Sequence, residues 1–166
     1  MKSLLILNGP GLDRLGEINR ELYGSQTLDE VRRMCEDTCA KEGYSADFRQ
    51  SNDTGQLLEW VIDARDNHAG IIINPAISTQ NEPKIKEAYL AIMHALAHVK
   101  LPTIEVHLSN LFIQHGEPRV SYDSTVSLGL ISGFGVQGYV MAIKGMANHL
   151  AARPPASSEG QISISA

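Results

Sequence analysis

Short apolar runs, each followed by turn-forming residues and then by apolar positions at helical spacing, recur along the chain. Residues 3–7 (Ser-Leu-Leu-Ile-Leu) and 70–73 (Gly-Ile-Ile-Ile) are unbroken apolar segments, the pattern of strands buried on both faces of a parallel sheet. Residues 44–49 alternate and predict a second strand. A fourth begins at Leu101-Pro102-Thr103-Ile104 and continues through Glu105-Val106-His107, and a fifth is expected over 127–132. Helices fall between them. Thr27-Leu28-Asp29-Glu30 has the form of a capping box and predicts a helix to about 42, stopped by Gly43, with Leu28, Val31, Met34, Cys35, Thr38 and Cys39 facing inward at helical spacing. Ser51-Asn52-Asp53-Thr54 starts another, carrying Leu57, Leu58, Val61, Ile62 and Ala64 inward with Trp60 on its flank. Pro83 suits a first helical turn, and that helix runs to about 98 with Ile85, Ala88, Tyr89, Ile92 and Leu96 on its apolar side. Gly133-Phe134-Gly135 turns into a last helix over 137–151.

The order is β-α-β-α-β-α-β-x-β-α. Right-handed crossovers make this an α/β fold, a flavodoxin-like open parallel five-stranded sheet of order 2-1-3-4-5 with helices on both faces. Residues 1–152 are expected to form one domain. The stretch 153–166, rich in proline, serine and glycine, is expected to be a disordered tail.

Composition narrows the function. The net charge of -5 comes without a lysine and arginine stripe, which argues against nucleic acid. No apolar run is long enough to span a bilayer, and the apolar start is too short for a secretion signal. Cys35 and Cys39 lie four residues apart on one helix, where a disulfide is geometrically poor, so reduced core thiols and a cytoplasmic setting are expected. The six histidines are scattered and predict no metal site. Asn8-Gly9-Pro10-Gly11 is not a nucleotide fingerprint, and no Walker loop is present.

The chemistry concentrates at one sheet edge. Alternation along a strand places Glu105 and His107 on one face, where a carboxylate can hold an imidazole in one orientation. Ser109 and Asn110 follow at the strand's carboxyl end, the edge where ligands collect in open α/β sheets. The loops 8–24, 74–81 and 109 onward should meet there, bringing Tyr23, Asn74, Gln80, His107 and Ser109 together with Arg14 or Arg20. A tyrosine and a histidine on opposite sides of a pocket can act as base and acid. A phenol has a reference pKa of about 10, so such a base needs a nearby cation. The plainer alternatives are a histidine capped by its neighbour, a tyrosine packed in its loop, and an asparagine capping a turn.

In sequence, Asn8-Gly9-Pro10, Leu15-Gly16, Tyr23-Gly24, Asp47-Phe48-Arg49-Gln50-Ser51-Asn52, Glu105-Val106-His107-Leu108-Ser109-Asn110 and Gly133-Phe134-Gly135-x-x-Gly138-Tyr139 resemble type II 3-dehydroquinate dehydratase over about residues 3–150. That resemblance implies a flavodoxin-like fold, no metal or organic cofactor, a small cyclic carboxylate or ketone substrate, and assembly as a dodecamer built from trimers. It implies that Tyr23 removes a proton beside a ketone, that an enolate forms, and that His107, oriented by Glu105, protonates the departing hydroxyl. Asn74, Gln80, Glu87, Leu108 and Ser109 would hold the substrate. The chain departs from the family pattern at Gly11, Ile18, Gln80, Glu87, Gln114 and Pro118. These exchanges remove cationic and polar groups, for which Arg14, Arg20 or Arg119 would compensate. The implied substrate is therefore 3-dehydroquinate or a less polar cyclic relative. The rivals are another enolising reaction, an isomerisation or cyclisation, and a non-catalytic binding or assembly protein.

Overall fold

The computed structural model describes residues 1–76, 83–110 and 128–152, except for the side chains of 83–86. Strands β1 (Ser3–Asn8), β2 (Ser45–Gln50), β3 (Gly70–Asn74), β4 (Thr103–His107) and β5 (Gly129–Ser132) form one sheet. Its order is β2-β1-β3-β4-β5 and every pair is parallel, as the alternation of apolar runs and helical segments predicts. The helices are α1 (Arg20–Tyr23), α2 (Leu28–Lys41), α3 (Thr54–Asn67), α4 (Pro83–Val99) and α5 (Gln137–Ala152).

Period-two alternation sorts the strand side chains into two cores. Leu4, Ile6, Ile72, Ile104 and Val106 face α2 and α5, where Val31, Cys35, Cys39, Tyr139, Ile143 and Met146 complete the packing. Leu5, Leu7, Ile71 and Ile73 face α3 and α4, with Leu57, Val61, Tyr89, Ile92 and Leu96. The capping box at Thr27 forms: its hydroxyl accepts from the Glu30 N–H and the Glu30 carboxylate accepts from the Thr27 N–H at 2.7 Å. Cys35 and Cys39 are buried free thiols. Burial pushes the Cys39 thiol up to about 11 and the Cys35 thiol higher still, so both stay protonated and inert toward exchange.

Several boundaries and faces differ from the sequence reading. Strand β2 lies one residue later than expected, because its register is set by pairing Ser3 with Ser45. Ile62, expected inward, is 52% exposed. The stripe Leu57, Val61 and Ala64 already fills the inner face of α3, and a residue next to Val61 is turned about 100° around the axis. The loop after β1 contains a 3-10 turn (Leu12–Arg14) and the single-turn helix α1. A helix that short is held by its surroundings, not by its own propensity. Ile85, the predicted irregular stretch 112–125, the start of the 127–132 strand and the tail lie outside the described side chains or residues.

At the β2 edge, Asp47 receives Arg49 Nε at 2.9 Å and His68 Nε2 at 3.0 Å, while the Arg49 guanidinium lies over the Trp60 ring. The hydrogen bond from Arg49 holds the Asp47 carboxyl below its usual range, and His68 adds to this. A depressed carboxyl contributes stability above its unfolded pKa of about 3.9 and loses it as pH falls through the folded value. The carboxylate is 31% exposed, so solvent screening limits the contribution to about 1 kcal/mol. Urea unfolding of Asp47→Asn should show a deficit at pH 6 that shrinks at pH 3; a deficit of equal size at both would contradict this.

Candidate active site

The carboxyl edge of the sheet is built by strands whose ends are tied to one another. Asn8 and Asn74 sit side by side at the ends of β1 and β3, and the Gly9 N–H donates to the Asn74 carbonyl at 2.8 Å. A Cβ on Gly9 would lie 1.9 Å from the Pro75 carbonyl oxygen, so only glycine lets these two loops approach so closely. The loop after β1 is braced from the end of β2. Asn52 accepts from the Gly11 N–H at 2.9 Å and donates to Asp13 at 3.1 Å, and Gln50 donates to the Gly9 carbonyl at 3.3 Å. Gly11 has φ +83°, a left-handed conformation that suits glycine.

Beneath this edge runs a buried polar chain. Tyr139, fully buried at the start of α5, donates its hydroxyl to Asn8 Oδ1 at 2.6 Å and accepts from Asn74 Nδ2 at 2.9 Å. Asn8 Nδ2 in turn donates to the Arg49 carbonyl at 3.0 Å. Burial drives the Tyr139 phenol well above its ordinary pKa, so it stays a neutral donor. The Asn74 Oδ1 accepts from the Ala76 N–H at 3.2 Å, which is the turn-capping alternative in physical form.

Strand β4 carries the acid–base pair. Glu105 and His107 share the face toward α4, and His107 Nε2 is hydrogen-bonded to Glu105 Oε1. Glu105 is 1% exposed and lies in register with Ile73 of β3 and Leu130 of β5. A carboxylate in such apolar company is costly unless donors hold it. Tyr89 of α4 supplies a second donor to the same oxygen at 3.2 Å. The His107 side chain is 12% exposed, so the ring bonded to Glu105 keeps a small part of its surface open to solvent.

The remaining predicted residues divide clearly. Tyr23, on α1, is half-buried and packs against the core on the α2 and α5 side, whereas His107 belongs to the α4 side. The two side chains therefore pack on opposite faces of the sheet. Leu108 packs into the core and its carbonyl accepts from Gly135 N–H at 2.9 Å. Ser109 is buried, with its carbonyl accepting from the Ser132 hydroxyl at 3.1 Å. Glu87 is exposed on α4. Arg14 pairs with Glu17 on the surface at 3.7 Å, and Arg20 Nε donates to the Gly16 carbonyl at 2.6 Å; neither makes a charge or ring contact with Tyr23 among the described residues. Gln80 and Arg119 lie outside the described residues, as do Gln114 and Pro118. The sequence reading placed Tyr89 only as a core residue and named Tyr139 only as the end of the Gly133–Tyr139 motif, with no role for either hydroxyl. The available signal was the phenol itself, since a buried tyrosine hydroxyl needs a partner. Among the described residues, no group of three or more histidine, cysteine, aspartate or glutamate side chains is arranged to hold a metal ion, and no helix is long and apolar enough to cross a membrane.

The profile of the family described as Dehydroquinase class II matches residues 2–147. The chain belongs to that family. Among its dehydroquinase relatives, the 3-dehydroquinate dehydratase 2 of Pseudomonas aeruginosa is 42% identical over 151 residues, covering 91% of this chain and 97% of the relative. The 3-dehydroquinate dehydratase of Streptomyces coelicolor is 41% identical over 145 residues, covering 87% and 88%. The crystal structure of the type II dehydroquinase from Propionibacterium acnes superposes with a TM-score of 0.78 at 30% identity, covering 89% of this chain and 97% of that one. Within this dehydroquinase fold, Ile18 is half-buried in the loop before α1, two residues before the guanidinium of Arg20.

Proposed function

We propose that this protein is a carbon–oxygen lyase that eliminates water from 3-dehydroquinate or a less polar cyclic relative, with Tyr23 as base and His107 as acid. The single observation that carries the reading is the buried Glu105 carboxylate bound to the His107 ring at the carboxyl end of β4, in a chain of the dehydroquinase family. The Tyr23 phenolate takes the proton next to the ketone, and the electron pair becomes an enolate. The enolate re-forms the carbonyl as the C–O bond breaks, and the His107 imidazolium gives its proton to the departing hydroxyl, which leaves as water. Tyrosine has gained a proton and histidine has lost one, so exchange with solvent resets the pair. Proton removal and leaving-group protonation by separate groups are each worth about 10²–10⁴-fold.

A phenolate needs a cation. Arg20 lies three residues before Tyr23 on the same helical turn, within reach by spacing, and is the proposed source once its guanidinium turns from the Gly16 carbonyl that it bonds. The apolar Ile18 and the bare Gly11 backbone favour a substrate with fewer hydroxyls than a fully polar site would hold. Asn74, Gln80, Glu87, Leu108 and Ser109 are proposed to contact it. A homo-oligomer, a dodecamer built as a tetramer of trimers, in the cytoplasm completes the reading, with 1–152 as one catalytic domain.

The test is incubation of the purified protein with 3-dehydroquinate, followed by enone absorbance and mass spectrometry. Loss of one water with rising absorbance is expected. Turnover at unchanged mass would replace dehydration by isomerisation or cyclisation, and binding without turnover would leave a non-catalytic protein. Light scattering should give a mass far above the 18.1 kDa of one chain; a monomer would contradict the assembly.

A further inference from the structure

We infer that Tyr89 is a positioning residue for the acid–base pair, holding Glu105 so that Glu105 can hold His107; this rests on the function proposed above. Tyr89 is 5% exposed on α4 among Ile92, Met93 and Leu96. Shape alone would let phenylalanine fill that place, but the hydroxyl has a definite use. It donates to Glu105 Oε1 at 3.2 Å, the same oxygen that bonds the His107 ring. The other carboxylate oxygen, Oε2, is buried and has no partner among the described residues. Glu105 is therefore fixed through one oxygen by two donors from two elements, α4 and β4. With His107 as the sole donor, the carboxylate plane could turn about its terminal torsion, which is broad for this side chain, and carry the accepting oxygen out of line with the ring. Tyr89 gives that oxygen a second fixed partner, so turning the plane breaks a bond to α4 as well. The ring orientation at the rim is thus set from beneath the sheet by a residue that does not reach the substrate.

Two measurements decide this. In Tyr89→Phe, kcat for dehydration should fall about tenfold, the scale of a hydrogen bond to a charged group, with KM unchanged. In a Glu105→Ala background the same replacement should change kcat by less than about twofold, because residues acting through one another are not additive. Equal tenfold losses in both backgrounds, or no loss in the first, would overturn the inference. The second measurement needs no turnover: nitrogen-15 ring spectra of Tyr89→Phe should move the His107 Nε2 resonance and leave those of the other histidines in place. An unmoved His107 signal would overturn the positioning role even if the enzyme is active. An inactive wild type with a moved signal would remove the proposed reaction and keep the inference.

Discussion

His107→Ala is expected to lower kcat for dehydration about 10²–10⁴-fold, with Tyr23→Phe in the same range. The two losses have different physical origins. At His107 the general acid disappears, so the hydroxyl must leave unassisted. The replacement also removes one of the two donors to the buried Glu105 oxygen, so stability should fall by about 1–3 kcal/mol. At Tyr23 only a hydroxyl is removed from a half-buried side chain that keeps its packing against the core on the α2 and α5 side. Thermal unfolding of Tyr23→Phe should therefore match the wild type while its rate collapses. Initial rates with 3-dehydroquinate and parallel melting curves check both. Either variant retaining kcat within about threefold of wild type would remove that residue from the chemistry.

Tyr139→Phe is expected to cost about 2–4 kcal/mol of folding stability, the largest single effect outside the reacting groups. The phenol is fully buried, and its hydroxyl serves two side chains from two different strands, Asn8 and Asn74. Phenylalanine keeps the ring's packing but leaves the Asn8 carbonyl oxygen and an Asn74 N–H without their partner and without access to water. Each stranded group costs about 1–3 kcal/mol. The strands that end in these asparagines carry the loops after β1 and β3, so a loss of binding should accompany the loss of stability. Urea denaturation measures the first and the KM for 3-dehydroquinate the second. A variant within about 0.5 kcal/mol of wild type would show that the hydroxyl is not holding the two strands together.

The sheet was legible because its signals are local and physical. The short apolar runs within 3–7 and 70–73, bounded by turn residues and rich in isoleucine and leucine, fit strands buried on both faces, and the Thr27 capping box marks a helix start by its own side chains. The pairing of Glu105 with His107 followed from the two-residue period of β4 alone. What escaped depends on distance in the fold. The α1 turn has too few residues to announce itself, and the exposure of Ile62 follows from three neighbours filling the inner face first. Tyr89 and Tyr139 sit at apolar positions of their helices, so their spacing marks them as core. The partners that give their hydroxyls a purpose lie 16 and more residues away. Arginines hold long, adaptable side chains, and nothing in the spacing of Arg14 or Arg20 shows that one pairs with Glu17 and the other with the Gly16 carbonyl.

Soaking crystals of the protein with a cyclic keto acid that lacks the departing hydroxyl, and so cannot lose water, addresses the acid–base pair most directly. The predicted result is one ligand at the carboxyl edge of the sheet, with the Tyr23 hydroxyl and the His107 ring each within about 2.6–3.2 Å of it from opposite sides. A ligand seated away from His107, or one that Tyr23 does not reach, would contradict the division of proton transfer between these two residues.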